Sequence, residues 1–161
     1  MSWTIARVSG CAVIAVLMCA VSAASASAQD AGMIKIVRGT AHVEREGKKT
    51  PAVVGMKVRE ADVVSTGADG TMGITFGDSS LLSIGPNSSM SIDRYAFDTT
   101  THQGALETSL KAGTLAAVSG KIAKQSPNSM KVRTPTAVLG VRGTEFVVRT
   151  GETMMRQEPG R

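Results

Sequence analysis

Short runs of alternating apolar and polar residues fill most of this chain. Met33-Ile34-Lys35-Ile36-Val37 breaks at Arg38-Gly39 and resumes as Thr40-Ala41-His42-Val43-Glu44-Arg45. Alternation with period two puts every second side chain on one face, so both runs predict strands. Glu46-Gly47-Lys48-Lys49 reads as a polar turn, Ala52-Val53-Val54 as a short apolar stretch after Pro51, and Gly55–Arg59 and Asp62–Thr66 as further strands. Ala68-Asp69-Gly70 carries the strongest turn signal of the chain. Beyond it the pitch is regular. Thr71–Phe76 ends at Gly77-Asp78, Ser80–Ile84 ends at Gly85-Pro86-Asn87, and Ser89–Asp93 leads into Arg94–Phe97. The inward candidates are Met72, Ile74, Phe76, Leu82, Ile84, Met90 and Ile92.

Asp98–Gly104 is polar and aperiodic, the expected mobile loop. Leu106–Lys111 and Leu115–Val118 read as two strands around an Ala112-Gly113-Thr114 turn, and Gly120–Asn128 as a basic connector with room for one helical turn. Val132–Val148 holds two short apolar strands with Arg142 bracketed by Gly140 and Gly143. Sustained 3.6-residue periodicity is missing from residues 29–161, which predicts an all-β domain, solenoid-like or sandwich-like.

The first 28 residues belong to a different class. Arg7 and the amino terminus precede an apolar run, Cys11–Val21, and then the small residues Ser22–Ala28. This is the pattern of a signal peptide, with peptidase sites at Ala24-Ser25-Ala26 and Ala26-Ser27-Ala28; cleavage after Ala28 is favoured, giving a mature chain from Gln29. An uncleaved anchor is the competing reading, because Val8–Ala28 is uncharged and just long enough to span, but its Ala/Ser-rich second half is poorly apolar. A lipid anchor is disfavoured by Leu17-Met18 before Cys19. The expected organisation is a signal peptide over 1–28, one all-β domain over 29–149 and a polar tail over 150–161.

Both cysteines fall within residues 1–28, so the exported domain has neither disulfides nor thiolate chemistry. Removing those residues removes one charged side chain, Arg7, leaving 17 basic against 13 acidic and a net charge of +4. The basic residues are scattered and the aromatics, Phe76, Tyr95, Phe97 and Phe146, are not interleaved with them, which argues against nucleic acid. The charge is that of an ordinary mixed-charge surface; it is also compatible with mild attraction to an anionic cell-wall polymer, which makes a structural or polysaccharide- or peptidoglycan-binding envelope protein the alternative function. Membrane contact is expected only through the signal peptide before cleavage.

Catalytic candidates are few. Gly77-Asp78-Ser79-Ser80-Leu81 resembles a hydrolase nucleophile segment, but a serine nucleophile needs an oriented imidazole. Histidine occurs only at 42 and 102, one inside a strand pattern and one in a threonine-rich loop. His42 with Glu44 offers two metal ligands and no cage, and His102 has only Asp98 nearby. No phosphate cradle leads into a helix, and no catalytic, metal or cofactor set is expected. Arg142 therefore has two readings. It is a ligand-facing charge, or a part-buried guanidinium that locks a bend permitted by Gly140 and Gly143 while Phe146 anchors the last strand.

Four segments, taken together, resemble the FecR domain, a periplasmic module of Gram-negative bacteria. They are Val54–Gly67, Gly70–Leu81, Leu110–Leu115, and Thr134-Pro135-Thr136-Ala137 with Arg142-Gly143-Thr144-Glu145-Phe146. The resemblance implies an all-β, solenoid-like fold and a non-enzymatic role as a relay that binds an envelope protein partner. It marks Thr134, Pro135, Gly140, Arg142, Gly143, Thr144 and Phe146 as motif residues, and Asp69, Gly70, Gly77 and Asp78 as turns. Iron-uptake regulators of this type act on a sigma factor through an N-terminal cytoplasmic segment. Here a signal peptide stands in its place, so that role is not carried over. In many relatives further strands follow the Arg-Gly-Thr motif; here either the domain is minimal or its last strand leaves an edge open for a partner.

Overall fold

The computed structural model describes residues 29–126, 128–142 and 145–151. The expected signal peptide and its cleavage site, Gly143, Thr144 and the tail from 152 onward lie outside the described residues. The elements are β1 (Asp30–Arg38), β2 (Ala41–Arg45), β3 (Lys48–Pro51), β4 (Lys57–Arg59), β5 (Val63–Thr66), β6 (Thr71–Phe76), β7 (Leu81–Ile84), β8 (Ser89–Phe97), β9 (Gly104–Val118), α1 (Lys121–Gln125), β10 (Met130–Arg133), β11 (Val138–Val141) and β12 (Glu145–Thr150).

All twelve strands belong to one sheet curled over a single core. One half runs β4-β1-β6-β7-β9-β12 and the other β3-β2-β5-β8-β9-β10-β11. Neighbours are antiparallel except β9 and β10. Of the two arrangements left open by the sequence, this is the sandwich-like one, because a solenoid would stack parallel coils. All seven inward candidates are at most 2 % exposed. Each such side chain contributes about 1.5–3 kcal/mol relative to leaving it in water. Phe76 from one half meets Tyr95 from the other at a ring separation of 5.5 Å.

The halves are joined by β9, which the sequence pattern divides in two. Its fifteen residues form one continuous strand with a corner at Gly113, where φ is +93°. Residues 104–112 pair with β8, and 115–118 pair with β7. A side chain at Gly113 would put its Cβ 2.1 Å from Ser88 Oγ. That hydroxyl accepts from Thr114 N at 3.0 Å and donates to Pro86 O at 3.1 Å, so the corner's polar groups are satisfied. Glycine supplies the φ and the space together.

Two further readings change. Lys48–Pro51, taken as turn and restart, is a strand without a single buried residue, held by its ladder to β2. It has no apolar alternation because it has no core to face. The loop expected over Asp98–Gly104 ends at Gln103, because Gly104 already pairs in β9, and it holds internal hydrogen bonds. Asp98 Oδ1 accepts from Thr100 N at 2.7 Å and Thr101 N at 3.0 Å, and His102 stacks on Phe97. Those backbone donors hold the Asp98 carboxyl below the usual carboxylate range.

Candidate binding surface

A sheet that does not close leaves edges whose backbone donors and acceptors face outward, and the side chains on each edge decide what can add to it. Among the described strands, β3, β4, β11 and β12 are paired on one side only. β4 has three residues and is clamped by charge. Asp30 binds Lys57 Nζ at 2.6 Å and Arg59 Nε at 3.0 Å, and the Lys57 contact followed by Arg59 holds the Asp30 carboxyl below its ordinary value. β3 carries Lys48, Lys49 and Pro51. Lysine charge and a missing N–H both discourage another strand from pairing.

β12 has no lysine, no proline and no charge clamp. Its sequence is Glu-Phe-Val-Val-Arg-Thr, and it pairs along its full length with the far half of β9, from Glu145 opposite Val118 to Thr150 opposite Gly113. Exposure alternates strictly. Phe146 and Val148 pack partly against the core, while Glu145, Val147 and Arg149 point outward, Val147 at 66 % exposure. On that outer surface Val118 at 41 % exposure lies opposite Glu145, and Leu81 at 45 % lies opposite Val118. The surface beside β12 is therefore apolar.

The β10–β11 hairpin faces β12 across a groove of about 580 Å³ lined by Thr134, Pro135, Leu139, Val148 and Arg149 among others. The hairpin turn is built by Thr134. Its N–H donates to Ala137 O at 2.8 Å, and its Oγ1 accepts from Ala137 N at 3.0 Å. Pro135 follows at the turn position where a fixed φ suits a proline. Met130 and Val132 are buried against β9, whereas Val138 and Leu139 on the edge strand are exposed.

The motif residues do not converge on one point. Thr134 and Pro135 lie at one end of the hairpin and Arg142 just beyond the other, with four paired positions between them, a span of roughly 13 Å. Gly140 lies within extended β11, with a bound on its size from Asn128 Oδ1, 3.0 Å from an added Cβ; the chain does not bend there. Phe146 is half-buried as the anchor of β12. Arg142 departs from the bend-locking expectation. It is exposed and is not in an ion pair among the described residues, because the chain leaves β11 at the rim of the sheet rather than through the core.

The role expected of Arg142 is filled by Arg45. Its guanidinium grips Asp62, which is 1 % exposed, through Nε at 2.8 Å and Nη2 at 2.7 Å, and Arg59 N completes the set at 2.8 Å. Bonding to Asp62 raises the Arg45 pKa. Sequence spacing missed the pair because its members sit 17 positions apart, Arg45 at the end of β2 and Asp62 in the connection between β4 and β5. The outward triad Glu145, Val147 and Arg149 was also missed, although its signal, charge-apolar-charge at every second residue, is legible.

The predicted turns prove to be structural joints. Asp69 Oδ1 accepts from Thr40 N at 3.3 Å, and an added Cβ at Gly70 would lie 2.0 Å from Thr40 O. Gly77 sits beside the Tyr95 hydroxyl, 2.8 Å from an added Cβ. Asp78 is fully buried. It accepts from Ser80 Oγ at 2.6 Å and Ser80 N at 3.1 Å, and its own N–H donates to Tyr95 Oη at 3.1 Å. Ser80 Oγ also accepts from Gly120 N at 2.9 Å, which ties the start of α1 to this knot. Burial, then the Asp78 charge, pushes Tyr95 up to about 12. The Ser80 hydroxyl is thus engaged by Asp78 and Gly120, His102 stacks on Phe97, and His42 stands opposite Pro51 and Ser65.

A family model described as FecR protein matches residues 62–158, more than half of the chain, taking in β5 to β12. No curated protein and no solved structure matches it. β1 to β4 precede the matched region but share its core, since β1 pairs with β6 and β2 with β5.

Proposed function

The chain belongs to the FecR protein family, and on that premise we propose that it is a non-enzymatic, signalling-related module of the periplasm that docks an extended segment of an envelope protein on β12. The observation that carries this reading is the six-residue edge of β12, open on one side and free of lysine and proline. An added strand gains main-chain hydrogen bonds from such an edge and specificity from alternate side chains. Val147 and the neighbouring Leu81 and Val118 offer an apolar seat, and the groove toward Leu139 offers room for side chains on the other face.

A photo-crosslinking residue placed at 147 in intact cells tests the docking edge. A discrete adduct with an envelope protein, a second copy of this chain included, that is missing when the crosslinker is moved to Lys49 on β3, is the expected result. Equal labelling from both positions, or none from 147, sinks it. Retention of the protein on purified peptidoglycan at moderate salt, without any protein adduct, favours a cell-wall polymer as the partner instead.

A further inference from the structure

We propose that β12 pairs with β12 of a second copy, antiparallel and about Val147, so that the protein is a twofold dimer in which the sheet continues through both chains. This rests on the reading of β12 as a docking edge and names its occupant. The argument is the self-complementarity of the strand. With Val147 opposite Val147 of the second copy, Glu145 faces Arg149, Phe146 faces Val148, and the remaining pairs repeat these by symmetry. Opposed residues of an antiparallel ladder share a face. The outward face then carries two Glu–Arg pairs around a Val–Val pair, and the inward face closes Phe146 over Val148 twice.

The charges select this register. A slip of two residues in either direction puts each charge opposite valine or leaves it beyond the ladder. A parallel pairing opposes Glu145 to Glu145 and Arg149 to Arg149. A slip of one residue sets inward side chains against outward ones. Glu145 and Arg149 are exposed and take part in no ion pair among the described residues, so both charges are available. The pairing is isologous and consumes both copies of the edge, so it closes at two chains instead of growing into a fibre. The lysines and proline of β3 and the charge clamp on β4 discourage extension from those two edges, which leaves β11 as the other open edge among the described strands. It also joins the exposed Val147, Val118 and Leu81 of one copy to those of the other on the same side of the sheet.

Light scattering on the exported chain across a concentration series tests the proposal. The expected mass is that of two chains at high concentration. E145R and R149E should each give monomer, because each opposes like charges twice, and E145R/R149E together should restore the dimer by exchanging the charges. Circular dichroism should keep the parent shape in all three, since both positions are exposed, while the melting temperature of the single reversals should fall with the lost dimer and recover in the double. A monomer at every concentration, or a dimer indifferent to the single reversals, overturns the self-pairing. The crosslinker at 147 separates the two readings. A monomeric protein whose residue 147 captures a different envelope protein retains the docking edge and loses the dimer; a monomeric protein with no adduct loses both.

Discussion

The edges made by β3 and β12 are each a single strand hydrogen-bonded on one side, yet their chemistry is opposed. β3 reads Lys-Lys-Thr-Pro and β12 reads Glu-Phe-Val-Val-Arg-Thr. β3 folds because its ladder to β2 costs little at the surface, and its side chains repel a further strand. β12 folds because Phe146 and Val148 reach the core, and its outward side chains leave the other edge approachable. The difference teaches that an edge is guarded by what its residues present to an incoming strand: β3 presents two lysines and a proline, while β12 presents one charge of each sign around an exposed valine.

The comparison breaks first at the corner that seats β12. Gly113→Val imposes a β-branched residue at φ +93° and a Cβ against Ser88, and is expected to cost more than about 3 kcal/mol. Thermal unfolding should show that loss, and association should fall with it because β12 pairs with β9 beyond the corner. Next comes the guarded side. Arg45→Ala strands the buried Asp62 carboxylate and is expected to cost about 2–3 kcal/mol, the lower range for a broken pair because Arg45 remains 39 % exposed. Here association should be unchanged, since β12 is untouched.

A smaller effect comes from acid. The folded Asp30 carboxyl lies below its ordinary value of 3.8, so its contribution is present above that pH and is lost as pH falls through the depressed folded value. Melting curves of Asp30→Asn and the parent should differ at neutral pH and converge in strong acid; a constant gap would remove the β4 clamp from the account. The smallest stability effect sharpens the contrast itself. Lys49→Val with Pro51→Val replaces exposed side chains, and stability should move by no more than about 0.5 kcal/mol. The same change should give new concentration-dependent association by light scattering. Continued monodispersity would show that the guards are dispensable.

Much of the architecture was legible in local pattern. Period-two alternation identified the inward faces of β6, β7 and β8, and Asp69-Gly70 and Gly77-Asp78 were read as turns. Lys48–Pro51 escaped because a strand with no buried face leaves no hydrophobic signal. The continuity of β9 escaped because Ala112-Gly113-Thr114 has the same composition as a turn that reverses the chain. Arg142 drew attention through its glycine bracket, but a bracket states nothing about depth. Its exposure follows from the position of β11 at the rim, and the part-buried guanidinium that grips a buried carboxylate turned out to be Arg45.

By itself, then, the sequence determined the all-β class, the core-facing residues, the family motif and the bare composition of β12. These are properties of short stretches, set by alternation and turn chemistry. Tertiary structure decided that the sheet folds over at Gly113, that Arg45 of β2 meets Asp62 beside β5, and that β12 is paired on one side only among the described strands. Each of those depends on which strands become neighbours, and that is fixed by closing long-range pairs around one core, which no local period encodes.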